Sequence, residues 1–262
     1  KMSKLLENQV AIITGSGRGI GREAAILFAE HGARVVVSDI DQAPGEEVVS
    51  LIQKNGGEAI SCCGDITAPD FAKNIVETSI STFGRIDIIV NNAGFANQKM
   101  FQNITDEEFQ TQLDVHLLAP FRLIREAAPY IRDTAKIEIE QGVVHHRKII
   151  NVSSDAALGA AGLAHYSAAK SGLKGLTKSL AKEWGKFNVN TNAVAYGYID
   201  TRLTRAKESG MGLSVTESAL QTIPQTRMGT ATEAAEAIFY LASPLSNYVN
   251  GQVLHVNGGL NT

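Results

Sequence analysis

Short runs of β-branched and other apolar residues recur along the chain, separated by longer stretches in which apolar positions have helical spacing. The runs are Val10–Ile13, Val35–Val37, Ile86–Val90, Ile149–Val152 and Val253–Val256. Strands that are apolar on both faces are typical of a parallel sheet covered by helices on both sides. The pattern therefore predicts an α/β fold built on a parallel sheet.

Two kinds of signal predict where helices lie. The first of these is an apolar stripe at the spacing i, i+4, i+7, i+8, with which a helix buries one face against a sheet: Ile20, Ala24, Leu27 and Phe28. The segments 105–108 and 230–233 read TDEE and TATE, and both fit the capping box, in which a hydroxyl and a carboxylate bind free backbone N–H groups. We therefore expect helices to begin directly after Thr105 and Thr230.

Nothing in the sequence divides the chain into separate domains. It has 262 residues without a repeat, a low-complexity tract or a linker, so we expect a single domain over residues 1–262. Residues 202–225 are irregular and contain Gly210, Gly212 and Pro224. This segment fits either a substrate lid or a plain surface excursion.

Charge and cysteine content limit the classes of binding partner and the cellular compartment that we expect. The formal net charge of −3 provides no basic field, which disfavours nucleic acid and membrane surfaces as partners and favours a small molecule. No window approaches the roughly 20 apolar residues of a membrane span, and no signal-peptide core is evident. Cys62 and Cys63 are adjacent, and neighbours seldom reach disulfide geometry, so we expect reduced thiols and a cytoplasmic protein.

A glycine-rich segment, Thr14–Gly21, reads TGSGRGIG. It follows the first predicted strand and opens the first predicted helix, so backbone N–H groups at the helix N-terminus can bind a pyrophosphate. Gly15 permits the tight turn, and Gly19 and Gly21 permit close approach of phosphate and strand. The turn therefore predicts a nicotinamide dinucleotide site. Its predicted contacts are Gly15, Ser16, Gly17, Arg18, Gly19, Ile20 and Gly21.

The preferred dinucleotide depends on two charged side chains. Asp39 ends the second predicted strand, at about the distance where dinucleotide-binding folds place an acid for the adenosine ribose. A carboxylate there accepts hydrogen bonds from both ribose hydroxyls and repels a 2′-phosphate. The guanidinium of Arg18 favours that phosphate instead. We expect NAD(H) to be preferred, with NADP(H) as the alternative.

A candidate catalytic set follows the strand that contains Ile149. Tyr166 and Lys170 are four residues apart in a segment with helical spacing, so they share one face. A neighbouring ammonium favours phenolate and lowers the pKa of a phenol, which makes Tyr166 a candidate general acid/base toward a carbonyl or alcohol oxygen. Ser153 and Ser154 end the preceding strand, and ligands bind beyond the carboxyl ends of such strands. A serine hydroxyl there can hold the substrate oxygen.

Several motifs together resemble the short-chain dehydrogenase/reductase family nearly end to end. They are the TGxxxGxG turn at Thr14–Gly21, Asp65 after the third strand, Asn91–Gly94 after the fourth, the Ser/Tyr/Lys set, and Asn257–Gly259. The segment 180–185, LAKEWG, extends the likeness to 3-oxoacyl-(acyl carrier protein) reductases. The resemblance implies a single-domain Rossmann fold, a doubly wound parallel sheet of about seven strands with helices on both faces.

The same resemblance implies contacts to the cofactor outside the glycine turn. Residues matching Asp65 and Asn91 border the adenine and the sheet centre, and those matching Ile199 and Thr201 contact the carboxamide side of nicotinamide. The full set implied in this way is Asp65, Ile66, Asn91, Ala93, Gly94, Tyr166, Lys170, Ile199 and Thr201. The family usually forms homotetramers, so a homotetramer is expected here.

Three positions depart from the family pattern. His116 stands where the family usually has an asparagine that anchors a proton-relay water, and the phrase DVHL around it is similar to (3R)-hydroxyacyl-CoA dehydrogenase modules. His116 is thus either a replacement group in the relay or a packed histidine. The usual spacing to the tyrosine selects Ser153, whereas strand register selects Ser154, which we favour. Tyr196 either reshapes the nicotinamide pocket or only packs.

The leading hypothesis is an NAD(H)-dependent oxidoreductase that interconverts a secondary alcohol and a ketone, with 3-oxoacyl or 3-hydroxyacyl thioesters as plausible substrates. Tyr166 handles the proton, Lys170 lowers its pKa and Ser154 orients the substrate oxygen. Steroid, sugar and simple alcohol substrates stay open, and the rival class is a non-catalytic dinucleotide sensor. His145 and His146 have no companion at metal-ligand spacing, so we expect a solvated pair and no metal site.

Overall fold

The computed structural model describes residues 4–201, 204 and 217–261. Their main feature is a seven-stranded, wholly parallel sheet. The strands in chain order are β1 (Val10–Thr14), β2 (Arg34–Ser38), β3 (Glu58–Ser61), β4 (Ile88–Asn91), β5 (Arg147–Ser154), β6 (Val189–Tyr196), β7 (Ile199–Asp200), β8 (Gly229–Thr230) and β9 (Val253–Val256). The sheet has the order β3-β2-β1-β4-β5-β6-β9, and β7 pairs only with β8.

The helices lie between the strands along the chain. They are α1 (Gly19–Glu30), α2 (Gln42–Lys54), α3 (Phe71–Phe83), α4 (Asp106–Leu113), α5 (Ala119–Ala128), α6 (Thr134–Glu140), α7 (Ala164–Trp184), α8 (Glu217–Gln221) and α9 (Ala231–Ala242). Single π-helical turns at Asp114–Leu118 and Pro129–Asp133 join α4 to α5 and α5 to α6. Short 3₁₀ helices cover Phe101–Asn103, Asp155–Leu158, Gly185–Phe187 and Pro244–Ser246.

Helices cover both faces of the sheet, as the apolar runs predict. Neighbouring residues of β1 point to opposite sides, so Ile13 packs in one core with Phe28 of α1, and Ile12 packs in a second core with Ile75 of α3. The order reverses between β1 and β4, which is the topological switch point of a doubly wound sheet. The predicted α/β fold is confirmed.

Both predicted capping boxes are present. Glu108 N–H donates to Thr105 Oγ1 at 3.2 Å, and Thr105 N–H donates to Glu108 Oε2 at 2.9 Å. Thr230 and Glu233 repeat the arrangement at the start of α9, with distances of 3.1 and 2.8 Å. Each pair satisfies backbone donors that the first helical turn leaves free.

The histidine pair predicted to be solvated is instead bound at the amino ends of the strands, so that prediction is wrong. His145 Nε2 lies 2.8 Å from Oδ1 of Asp87, and His146 Nδ1 lies 3.2 Å from Oδ1 of Asn190. Both partners are distant in sequence, which is why the local pattern gave no sign of them. No group of three or more residues able to hold a metal occurs among the described residues.

Only part of the predicted lid, residues 202–225, can be placed. Residues 202–203 and 205–216, with Gly210 and Gly212, lie outside the described residues, so the lid stays a prediction. Its last residues are anchored, because Ile223 is buried and Gln225 N–H donates to Gly258 O at 3.2 Å. Within the described parts of the chain, no helix combines the length and apolar character needed to cross a membrane.

Candidate active site

The glycine turn connects β1 to α1 and presses against the loop after β4. Gly15 has a φ of +63°, in the left-handed region that favours glycine, and a Cβ there would lie 2.7 Å from Ala93 Cα. A Cβ on Gly21 would collide with Gly15 O. Asn92 Nδ2 donates to Thr14 O at 3.0 Å and to Gly15 O at 2.9 Å. Close packing therefore admits only glycine at Gly15 and Gly21, and the resulting cradle at the N-terminus of α1 fits a pyrophosphate.

Asp39 and Arg18 occupy one corner beside this turn. Asp39 is 9% exposed, and its Oδ2 accepts from Gly17 N–H at 2.9 Å. Arg18 Nη1 lies 2.7 Å from Oδ2 of Asp41 and 3.7 Å from Oδ1 of Asp39. Two carboxylates therefore surround the single guanidinium. The partner Asp41, which binds Arg18 directly, was not singled out from the sequence.

The other predicted cofactor residues also lie around the carboxyl ends of the strands. Ile66, Asn91 and Ala93 line one small cavity next to Thr14. Asp65 is exposed, and its Oδ1 accepts from the backbone N–H of Thr67 at 2.8 Å and from the Thr67 hydroxyl at 2.7 Å.

Gly94, Ile199 and Thr201 complete this group. Gly94 packs against the ring of His116 with no room for a Cβ. Ile199 is buried in β7, and a Cβ on Gly19 would lie 3.7 Å from Thr201 Cγ2. The structure therefore brings the end of β7 next to the glycine turn.

Ser154, Tyr166 and Lys170 meet where β5 ends against α7. The side chains of Tyr166 and Ser154 are hydrogen-bonded, and Lys170 Nζ lies 5.7 Å from the centroid of the Tyr166 ring. Ser153 is 2% exposed, and its hydroxyl donates to Lys170 O at 3.2 Å. The phenol is thus paired with Ser154, and Ser153 faces the backbone of α7.

The structure contradicts the expectation that Lys170 lowers the pKa of Tyr166. Burial raises the pKa of Tyr166 to about 12, against a smaller opposing contribution from the Ser154 hydrogen bond. Burial also lowers the pKa of Lys170 to about 7. Lys170 Nζ donates to Val152 O at 2.5 Å and lies over the face of the ring. Helical spacing brought the two side chains together but did not place the ammonium at the hydroxyl.

His116 lies in the π-helical turn Asp114–Leu118, edge-on to Tyr166, with 5.0 Å between the ring centroids. Its Nε2 lies 2.7 Å from Phe95 O, which can only accept, so Nε2 carries the proton and Nδ1 keeps a lone pair. Nδ1 is buried and has no partner among the described residues. Burial, with a further contribution from the charge of Lys170, holds the pKa of His116 well below its usual range.

A buried hydrogen-bond chain that the sequence argument missed supports this site. Asn91 Nδ2 donates to Asn151 Oδ1 at 2.8 Å, Asn151 Nδ2 donates to Thr177 Oγ1 at 2.9 Å, and Thr177 Oγ1 donates to Leu173 O at 2.8 Å. The chain joins β4, β5 and α7 and so fixes the helix that carries Tyr166. The available signal was Asn151, a polar residue inside an apolar strand.

Tyr196 packs. It is 6% exposed, and its hydroxyl donates to Ala234 O in α9 at 2.6 Å. Its side chain belongs to the same core as Ile199. Of the two alternatives for this departure from the family pattern, the structure therefore supports packing.

Comparisons with known proteins cover nearly the whole chain. The family model described as enoyl-(acyl carrier protein) reductase matches residues 15–261. The chain is 35% identical to the 3-oxoacyl-[acyl-carrier-protein] reductase of Chlamydia muridarum over 99% of its own length and 100% of that protein's. It is 35% identical to the reductase of the same name from Thermotoga maritima, over 97% and 98%.

A solved structure is similar in the same way. It is described as a putative NAD(P) dependent gluconate 5-dehydrogenase from Beutenbergia cavernae, with NADP bound at low occupancy. The TM-score is 0.85 at 30% identity, and the match covers 98% of both chains. The two kinds of relative carry names with quite different substrates, one an acyl thioester and the other a sugar acid.

Proposed function

The chain belongs to the short-chain dehydrogenase/reductase family, and we propose that it reduces the ketone of apolar 3-oxoacyl thioesters, or oxidises the matching alcohol, preferably with NAD(H). The family membership makes it an NAD(P)-dependent oxidoreductase that acts on a CH–OH group or its ketone. The observation that carries the proposal is the hydrogen-bonded pair of Ser154 and Tyr166 at the carboxyl end of β5, the same edge of the parallel sheet as the glycine turn.

The residues around Tyr166 can deliver a proton to a substrate oxygen. Because its pKa is about 12, Tyr166 is protonated at neutral pH and serves as the acid in ketone reduction. Ser154 holds the same oxygen and orients it toward the phenol. A nicotinamide dinucleotide bound at the glycine turn would supply hydride in this direction and accept it in the reverse. Each reduction therefore consumes one proton from Tyr166, which must be returned before the next cycle.

We assign that return to His116 and Lys170, the two titratable side chains that lie against the ring of Tyr166. His116 stays neutral at pH 7 because burial lowers its pKa, so its Nδ1 can accept a proton or a hydrogen bond. Lys170, with a pKa of about 7, exchanges protons readily at neutral pH. Both side chains contact or face the ring of Tyr166. This arrangement supports a relay role for His116 in place of the asparagine usual in the family.

The apolar substrate class rests on side chains exposed beside the site. Met100, Phe101 and Leu158 are 57%, 78% and 63% exposed, and Phe95 is 37% exposed next to His116. They belong to the segments 95–103 and 155–162, which are joined by a hydrogen bond from Lys99 N–H to Gly162 O at 2.8 Å. Exposed apolar side chains on the segments that follow Phe95 and Ser154 favour an acyl chain over a polyhydroxylated sugar, because ligand grooves are lined mainly by apolar side chains.

A turnover screen tests the proposed substrate. We expect kcat/KM for 3-oxoacyl thioesters to rise with acyl length, by up to about fourfold per buried methylene. Phe101→Gln should flatten this dependence, and Tyr248→Ala, a change at a fully exposed tyrosine, should leave it unchanged. Faster reduction of sugar or steroid ketones would contradict the acyl assignment. Binding of NADH without turnover of any ketone would favour the non-catalytic sensor.

The preference for NAD(H) rests on the charges beside the glycine turn. Arg18 is bound by Asp41 and lies near Asp39, so it is not free to pair with a 2′-phosphate without breaking an ion pair. The negative charge of Asp39 would repel that phosphate. The similar structure from Beutenbergia cavernae contains NADP. NADP(H) is therefore the alternative cofactor for this chain.

Fluorescence titration tests this preference. We expect NADH to bind at least about tenfold more tightly than NADPH, a difference of about 1.4 kcal/mol. Asp39→Asn should bring the dissociation constants for NADH and NADPH closer together, because it removes the negative charge but keeps an acceptor for Gly17 N–H. Arg18→Ala should leave the preference for NADH in place. Equal affinities in the unaltered protein would show that Arg18 dominates and would overturn the assignment.

The homotetramer expected from the family has one supporting feature. An apolar groove on the outer side of α4, α5 and α7 is lined by Leu113, Leu117, Leu118, Phe121 and Leu176. A second copy of the chain would cover it, and burying such a face drives association. Sedimentation velocity should show a tetramer that Phe121→Asp dissociates. A monomer at micromolar concentration would contradict this assignment.

A further inference from the structure

Asp155 directly follows Ser154 and is almost completely buried. It is 6% exposed, and its carboxylate is held by three side chains from the C-terminal end of the chain. His255 Nδ1 lies 2.7 Å from Oδ1, and Asn257 Nδ2 and Asn261 Nδ2 donate to Oδ2 at 2.7 and 3.0 Å. A buried carboxylate with three partners about 100 residues away fixes two distant segments to each other.

Ser154 depends on the turn that Asp155 begins. Asp155 is the first residue of the 3₁₀ helix that ends at Leu158, and Ser154 caps that helix. The Ser154 hydroxyl oxygen accepts from Ala156 N–H at 3.1 Å. The position of the hydroxyl oxygen is therefore held by the backbone of the turn, and Asp155 anchors that backbone.

The C-terminal segment in turn contacts the end of residues 202–225. Gln225 N–H donates to Gly258 O at 3.2 Å, and a Cβ on Gly259 would lie 3.1 Å from Pro224 Cγ. Asn257, which binds Asp155, also accepts from Gly259 N–H at 3.0 Å through Oδ1. A continuous set of contacts thus runs from residues 224–225 through the C-terminal segment to Ser154.

We propose that Asp155 is a positioning residue that fixes the Ser154 hydroxyl to C-terminal residues 255–261, so that this segment controls the orientation of the substrate oxygen. The catalytic consequence rests on the proposed function, whereas the coupling between the two segments does not. Asp155 acts through Ser154 and has no direct contact with the reacting atoms. An exchange experiment and a mutant cycle separate the two parts.

Hydrogen exchange measures the coupling without any turnover. In Asp155→Ala, and more weakly in Asn261→Ala, we expect exchange in the peptide spanning residues 153–160 to rise by about tenfold, because the Ala156 N–H loses its fixed acceptor. The matched control is Gln252→Ala, an exposed change directly before β9 and outside the Asp155 cluster, which should have no effect. Unchanged exchange of this peptide in Asp155→Ala overturns the proposal, whatever the enzyme reduces.

A double-mutant cycle with Ser154→Ala tests the catalytic part. We expect Asp155→Ala alone to lower kcat about tenfold, with the dissociation constant for NADH within twofold of the unaltered value. When Ser154 is already replaced by Ala, Asp155→Ala should lower kcat by less than about twofold, because the hydroxyl that Asp155 positions is no longer present. Asp155→Asn keeps an oxygen acceptor for Asn257 or Asn261 and should restore most of the activity.

Two results would overturn this part. Additive losses in the cycle would show that Asp155 does not act through Ser154. Loss of NADH binding in parallel with kcat would show a general structural role. If the unaltered protein reduces no ketone, the proposed function fails by itself, and the exchange result still decides the coupling.

Discussion

Replacing Tyr166 with Phe is expected to lower kcat for ketone reduction by about 10³-fold, within the range that a positioned general acid supplies. The change removes only the hydroxyl that is hydrogen-bonded to Ser154, and the ring still packs against His116. NADH should therefore bind with nearly unchanged affinity. Stopped-flow NADH oxidation and fluorescence titration on the same preparation measure the two effects separately.

The matched control for this variant is Tyr130→Phe. Tyr130 is 39% exposed and lies in the π-helical turn before α6, so loss of its hydroxyl should leave both kcat and NADH affinity unchanged. A ketone reduction rate in Tyr166→Phe equal to that of the unaltered protein would remove Tyr166 from the proton-transfer step.

Replacing Asp87 with Asn is expected to lower the free energy of unfolding by about 3 kcal/mol at pH 7, toward the low end for breaking a buried ion pair, because Arg85 keeps access to water. Asp87 is fully buried at the amino ends of the strands. It accepts from Val10 N–H at 2.9 Å and from Arg85 Nε and Nη2 at 2.8 and 2.7 Å, besides its contact with His145. Urea unfolding at fixed protein concentration measures the loss.

The pH dependence of this loss follows from the sign of the pKa shift. Burial by itself raises the pKa of Asp87, but hydrogen bonds from His145, Arg85 and Val10 N–H, with the charge of Arg85, together hold it below its usual range. A lowered pKa stabilises the fold above the unfolded value of about 4 and loses that contribution as the pH falls through the folded value. The difference in the free energy of unfolding between the unaltered protein and Asp87→Asn should therefore become smaller at acidic pH.

An exposed ion pair provides the control for Asp87. Lys73 and Glu77 are 63% and 62% exposed, and Glu77→Gln should change stability by no more than about 0.5 kcal/mol. An equal loss of unfolding free energy in Asp87→Asn and Glu77→Gln would show that the buried ion pair stabilises the fold no more than the exposed one. The site is at the opposite ends of the strands, so kcat should survive in folded Asp87→Asn.

Most strands could be predicted because their apolar runs are local. The run Val253–Val256 coincides with β9, and Val10–Ile13 differs from β1 by one residue. The run of β6 was not recognised, because Asn190 and Asn192 interrupt it. Both are buried and donate to Val249 O, at 3.0 and 2.9 Å. These hydrogen bonds join residues that are far apart in the sequence, so a local pattern cannot show that the two asparagines are buried with partners.

The residues of the site could be predicted from residue type and spacing in the sequence. The pKa of Tyr166 could not, because it depends on burial and on where the charges lie in three dimensions. The glycine turn and the Tyr166/Lys170 spacing indicated which side chains would meet. The direction of the Tyr166 pKa was wrong, because burial outweighs a lysine whose Nζ bonds Val152 O. The Asp155 cluster joins residues 100 or more positions apart, so no sequence window could reveal it.

The central claim is that this site transfers hydride to a ketone carbon while Tyr166 protonates the oxygen. The most direct test uses NADH deuterated at the transferable C4 position with a medium-chain 3-oxoacyl thioester, followed by mass spectrometry of the product. We predict one deuterium on the carbinol carbon of the 3-hydroxyacyl product for each NADH consumed, and almost none formed by Tyr166→Phe in the same time. NADH consumption that leaves the carbinol carbon without deuterium would contradict the account.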